Sequence, residues 1–181
     1  YFKKSESISG LDSKYRSNNG PLKLSRSSEG NVLSKVYLEA AEQAGYEINN
    51  DMNGYKQEGF GLMDTTIFGG KRQSTSVTYL HPIIKRKNLK VITKTVVHKI
   101  MIENNTAVGV EYSQGERKKE VYADNEVILP AGAINSPQLL MLSGVGPADH
   151  LVELDIPVHY NSTGVGENLQ DPLETDVQYD C

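Results

Sequence analysis

The stretch Gly132-Ala133-Ile134-Asn135-Ser136-Pro137-Gln138-Leu139-Leu140-Met141-Leu142-Ser143-Gly144-Val145-Gly146 decides the reading of this chain. It follows closely on the apolar triplet Val127-Ile128-Leu129, which by its continuous apolar character predicts a buried strand. A strand running into this stretch must turn sharply into a helix. Gly132 lets the backbone turn and approach a ligand closely, Ser136 is placed to cap the helix, Pro137 suits its first turn, and Gly144 can end it. Backbone N–H groups at such a helix start attract anions. On this physics alone the stretch serves equally as a ligand site or as a packing turn.

Working outward, the chain of 181 residues is 38% hydrophobic and 23% charged, ordinary globular material. It does not begin with Met, and it reads as an internal piece of a longer protein. A net charge of −4 with basic residues scattered along the chain leaves no footprint for nucleic acid, and no aromatic-basic stripe suggests single-strand binding. No apolar run approaches the ~18 residues of a membrane span. The single cysteine, Cys181, allows no internal disulfide and fits a reducing compartment, whereas the sequons Asn104-Asn105-Thr106 and Asn161-Ser162-Thr163 would suit a secreted protein.

The elements predicted along the chain are mixed. Ser5 to Asn19 is a polar connector, and Leu22-Lys23-Leu24-Ser25 alternates like a strand. Asn31 to Ala44 is the clearest helix, with Leu33, Val36, Tyr37, Ala40, Ala41 and Ala44 at helical spacing as core and Gly45 as its cap. Asp51 to Arg72 is a long Gly-rich excursion. Leu89 to Thr93, Val96 to Ile102, Ala107 to Tyr112 and Lys118 to Tyr122 predict successive strands, with turns at Asn104-Asn105 and Gln114-Gly115. A short helix is expected from Ala148 to Leu154.

Most catalytic chemistry is excluded by what the motifs lack. His81, His98, His150 and His159 lie far apart with no paired metal-ligand spacing, so no metal is expected. No Gly-x-Ser-x-Gly elbow is present, and Cys181 has no base to activate it. His81, read as standing at a strand end in Tyr79-Leu80-His81-Pro82, is taken as structural. Gly164-Val165-Gly166 lacks the third glycine and the leading strand of a dinucleotide fingerprint.

The stretch from Gly132 to Gly146 resembles the second sequence signature of the glucose-methanol-choline (GMC) oxidoreductases, flavoenzymes that oxidise alcohols with FAD. Further segments resemble the same family, in its order. They include Gly20-Pro21-Leu22, Glu39-Ala40-Ala41-Glu42-Gln43-Ala44-Gly45-Tyr46, Asn53-Gly54-Tyr55-Lys56-Gln57-Glu58-Gly59-Phe60-Gly61, Tyr79-Leu80-His81-Pro82, Ala107-Val108-Gly109-Val110-Glu111-Tyr112 and Gly164-Val165-Gly166-Glu167-Asn168-Leu169-Gln170-Asp171. One departure is Pro172, where choline-oxidising members usually read His after Gln-Asp.

The resemblance implies an α/β fold of mixed α+β type, the middle portion of a GMC flavoprotein: an FAD-binding domain with a β-meander plus part of the substrate domain. On that basis residues 1–55, with helix 31–44, are assigned to the substrate domain, 56–150 to the FAD-binding domain including the signature at 132–146, and 151–181 to the return into the substrate domain. The implied function is FAD-dependent oxidation of a primary alcohol, choline to betaine aldehyde first among candidates, in a mitochondrial protein. The alternatives are a secreted enzyme for a sugar or other alcohol and a non-catalytic GMC-like binding module. Carried over by position, the backbone of Val97 contacts the adenine of FAD, and Ala131 and Gly132 pass close to the dinucleotide, where a side chain at Gly132 would intrude. Val97 reads equally well as a core strand residue. Gly70-Lys71-Arg72-Gln73-Ser74 matches a family segment but is taken as a solvated turn. No catalytic residue is expected in this chain, since the pyrophosphate loop would lie upstream and the catalytic histidine downstream.

Overall fold

The structure is a computed structural model and describes residues 1–11, 14–27 and 31–178. It divides into two compact units, Tyr1–Val91 and Ile92–Cys181.

The first unit is built from short elements: α1 (Phe2–Ser5), β1 (Glu6–Ser7), β2 (Leu22–Lys23), β3 (Ser25–Arg26), α2 (Val32–Gln43), β4 (Asp64–Thr65), β5 (Ile67–Phe68) and β6 (Lys71–Arg72). β1 pairs with β2 in parallel, and β3 with β4 and β5 with β6 antiparallel. The alternating stretch at Leu22 is therefore two short strands with different partners. α2 begins and ends where the sequence places it. The Asn31 side chain accepts from the Leu33 N–H at 3.0 Å. At the other end Gly45 donates to the Glu42 carbonyl and Tyr46 to that of Ala41, a complete Schellman motif.

The expected burial of this helix is corrected. Only Ala41 is buried; Leu33 is 63% exposed, and Val36, Tyr37, Ala40 and Ala44 are exposed as well. Helical spacing identifies an apolar face but not what covers it. Here the aromatic contacts are those of Phe60 with Tyr37 and Tyr46, at 5.6 and 5.0 Å between ring centroids.

The centre of this unit is polar. Arg16, 3% exposed, lies in the connector that sequence reading leaves without a role. Its guanidinium meets Glu6 at 3.1 Å, Asp64 at 2.9 Å and Asp51, joining three separate segments. Burial alone would weaken the guanidinium's hold on its proton, but the hydrogen bonds with Glu6, Asp64 and Asp51 outweigh it and raise its pKa above the ordinary arginine value. Tyr79-Leu80-His81-Pro82 is not a strand end: Ser76–Leu80 forms a π-helical turn that runs into a 3₁₀ turn at His81–Ile83. The exposed cations Lys85, Arg86, Lys87 and Lys90 follow, within a stretch from Thr65 to Ile102 that holds no Asp or Glu, so the basic residues are partly gathered rather than evenly scattered.

The second unit is organised by a meander of β7 (Thr95–Glu103), β8 (Thr106–Gln114) and β9 (Arg117–Tyr122), antiparallel in the order β7-β8-β9. Asn104 and Asn105 both take positive φ, as a two-residue hairpin of type I′ requires. Three strand expectations hold, but Leu89 to Thr93 is not a strand, and neither is Val127 to Leu129. The second segment has no ladder partners among the described residues, and Ile128 is 75% exposed. Apolar β-branched sequence favours extension; a strand also needs a neighbour to accept its hydrogen bonds.

α3 (Gly132–Leu142) begins earlier than expected, with Ala131 at its N-cap, so Ser136 is not the cap and Pro137 sits inside the helix. β10 (Val145–Gly146) pairs in parallel with β11 (Tyr160–Asn161), and α4 (Ala148–Glu153) buries Leu151 completely. Gly144 ends α3 at φ +80, and a Cβ there would lie 2.4 Å from the Pro157 carbonyl oxygen. Only glycine fits this crossing.

Candidate cofactor-binding cleft

A cleft of ≈ 820 Å³ opens in the second unit between one face of the meander and α3. Thr95, Val96, Val97 and Ile100 of β7 form one wall, with Gly109, Val110, Val121 and Tyr122 continuing across the sheet. Residues 126–131 and the side chains Asn135, Gln138, Leu139 and Leu142 of α3 form the other. The lining is mostly aliphatic, with Glu126, the Asn135 and Gln138 amides, the Thr95 hydroxyl and the Tyr122 phenol as its polar side-chain functions. This is the character of a binding compartment: broad apolar surface for a flat ring and a few polar groups to orient it.

Two of the residues assigned from the sequence, Val97 and Ala131, line this cleft together. Gly132 adjoins Ala131 at the first turn of α3, with φ +87. A Cβ built there meets nothing within 4 Å. Within this chain the constraint at Gly132 is thus its backbone conformation, and the space over it is open. Sequence reading missed Asn135, Gln138, Leu139 and Leu142, although their i, i+3, i+4, i+7 spacing marks one face of a helix. Once Gly132 is known to start the helix, that face is legible.

The Tyr122 hydroxyl donates to Glu120 at 3.0 Å, which raises the phenol pKa above its usual value and keeps it a donor. β7 is the outer strand of its sheet, so one edge of its backbone faces away from β8. That edge offers N–H and C=O groups of the kind a heterocycle can pair with. His98 occupies a register irregularity between Val97 and Lys99, and its Nε2 is buried without a partner among the described residues. No group of three or more His, Cys, Asp or Glu able to hold a metal occurs among the described residues. No helix of the described residues is long and apolar enough to cross a membrane.

An aliphatic cleft, an open strand edge and a helix start reached through a positive-φ glycine together fit the adenosine end of a dinucleotide. A family model described as GMC oxidoreductase matches residues 1–174, and the chain belongs to the GMC oxidoreductase family, flavoproteins whose cofactor is FAD. Among individual proteins, it is 50% identical to the mitochondrial choline dehydrogenases of Mus musculus and Homo sapiens, across all 181 residues of this chain and 30% of theirs. It is 46% identical to the oxygen-dependent choline dehydrogenase of Brucella ovis, of which it covers 33%. The chain thus spans about a third of the length of the curated relatives it matches.

Solved structures agree on the fold. An FAD-dependent oxidoreductase from Chaetomium thermophilum superposes with a TM-score of 0.85 at 28% identity, over 94% of this chain and 32% of that one. Pyridoxine 4-oxidase from Mesorbium loti gives 0.80 at 27%, over 88% and 32%. The mixed α/β fold of a GMC flavoprotein is established by these matches.

Proposed function

We propose that the protein carrying this chain oxidises choline to betaine aldehyde with FAD, in mitochondria. The observation that carries this reading is 50% identity to choline dehydrogenases over every residue of the chain. FAD, when bound, would supply the two-electron acceptor for the α-carbon hydride of the alcohol, whose hydroxyl proton would pass to a base.

This chain's part in that reaction is to hold the cofactor. The backbone of Val97 would face the adenine, Ala131 would close the cleft, and Gly132 would give the dinucleotide unobstructed access to the start of α3. None of the chain's own residues is assigned the base. Residues 56–150 form a portion of the FAD-binding domain, with 1–55 and 151–181 belonging to the substrate domain.

Purified full-length protein assayed with an artificial electron acceptor tests the substrate: kcat/KM for choline should exceed that for glucose by at least a hundredfold. A preference for glucose would overturn choline as substrate and leave the flavoprotein assignment standing.

A further inference from the structure

The second half of the signature, Leu142-Ser143-Gly144-Val145-Gly146, lies at the far end of α3 from the glycine that opens it. Ser143 is the C-cap of α3 and is 5% exposed. Its Oγ accepts the Ile100 N–H at 2.8 Å and donates to the Leu139 carbonyl at 2.5 Å. Ile100 belongs to β7, whose other edge is paired to β8. The hydroxyl therefore takes the place that a further strand would fill, at one point of an otherwise open edge. Both walls of the cleft pass through this link, since Ile100 and Val97 line one and Leu139 lines the other.

We propose that Ser143 is a positioning residue for the cofactor: by locking β7 to the C-terminal end of α3, it holds Val97 and the first turn of α3 at the separation at which one bound dinucleotide meets both. This rests on the FAD reading above. α3 spans roughly 16 Å at 1.5 Å per residue, so a strand free to slide at one end of the helix would change the cleft along its length. Alanine at 143 leaves the buried Ile100 N–H without an acceptor, and the strand must shift to find one. Interior surfaces respond to such a loss by moving between discrete packings, not by stretching one bond.

The test uses full-length protein, stripped of flavin, with FAD titrated by flavin fluorescence. For Ser143→Ala the FAD Kd should rise at least tenfold, while kcat measured at saturating FAD stays within twofold of wild type. Ser143→Thr, which keeps the hydroxyl, should recover most of the affinity. A merely structural role predicts another pattern: a lower unfolding midpoint of the flavin-free protein with the FAD Kd unchanged, and that pattern overturns the proposal. If the alanine variant does not fold, Ser143→Cys decides, because the weaker sulfur acceptor should raise Kd at least threefold with the midpoint kept; an unchanged Kd overturns it. Wild-type protein that takes up no FAD overturns the cofactor reading itself, and this proposal with it.

Discussion

Gly132 takes φ +87 at the first position of α3, a conformation that costs an ordinary L-residue ~1–2 kcal/mol. Because no protein atom stands over it, that cost and the space left for the dinucleotide are separable. Gly132→Ala should lower the flavin content of the purified full-length protein, and Gly132→Val should lower it further, read as the ratio of flavin to protein absorbance. Full occupancy in both variants would move Gly132 away from the cofactor. Arg16 is the other residue on which much depends, since Glu6, Asp51 and Asp64 share its single charge. Arg16→Met removes the cation that three carboxylates share, leaving Asp64 with its 3.5 Å contact to Arg26, and urea unfolding of the full-length protein should show a loss of about 3–5 kcal/mol. A loss below about 1 kcal/mol would mean that the carboxylates find other partners. Gly132 was legible from its position after an apolar run. Arg16 was not, because its partners lie far away in sequence and nothing local marks an arginine that will be buried.

At the scale of elements, local chemistry determines what could be read. The Asn cap and Schellman end of α2, and the turns joining β7, β8 and β9, each depend on residues a few positions apart. Segments that need a distant partner are not legible in this way: Leu89 to Thr93 and Val127 to Leu129 have strand composition but pair with no strand among the described residues. The start of α3 was misplaced for a related reason. Pro137 usually marks a first turn, yet here it lies inside the helix, where it has no N–H to offer the Ala133 carbonyl. Pro137→Ala should therefore raise the thermal midpoint of the full-length protein, by a stabilisation on the order of 1–3 kcal/mol. A lower midpoint would show that the packing of the proline ring outweighs the missing hydrogen bond.

For the whole molecule, surface area is the informative quantity. A folded monomer of 20.0 kDa is expected to expose about 8,700 Å², whereas this chain exposes 14815 Å². Relative to an extended chain of about 29,000 Å², it buries about half its surface, well short of the ~70% typical at this size. Among the described residues the buried apolar side chains are Ala41, Ile100 and Leu151. So small a core cannot offset the conformational entropy of ordering the chain. Expressed alone, the 181 residues should show no cooperative thermal transition in calorimetry, and neither submicromolar FAD binding by fluorescence nor choline turnover. A sharp transition, tight binding or turnover would show that the units are self-sufficient. The sequence by itself determined the family, both ends of α2, the hairpin turns and the glycine at which the backbone turns, because those follow from the order of residues and from contacts a few positions apart. Only the tertiary structure decided that Arg16 gathers three carboxylates, that Val97 and Ala131 share one cleft, that Ser143 ties β7 to α3, and that most of the apolar face of α2 is exposed. Each of these depends on which distant segments meet, and spacing along a chain carries no information about that.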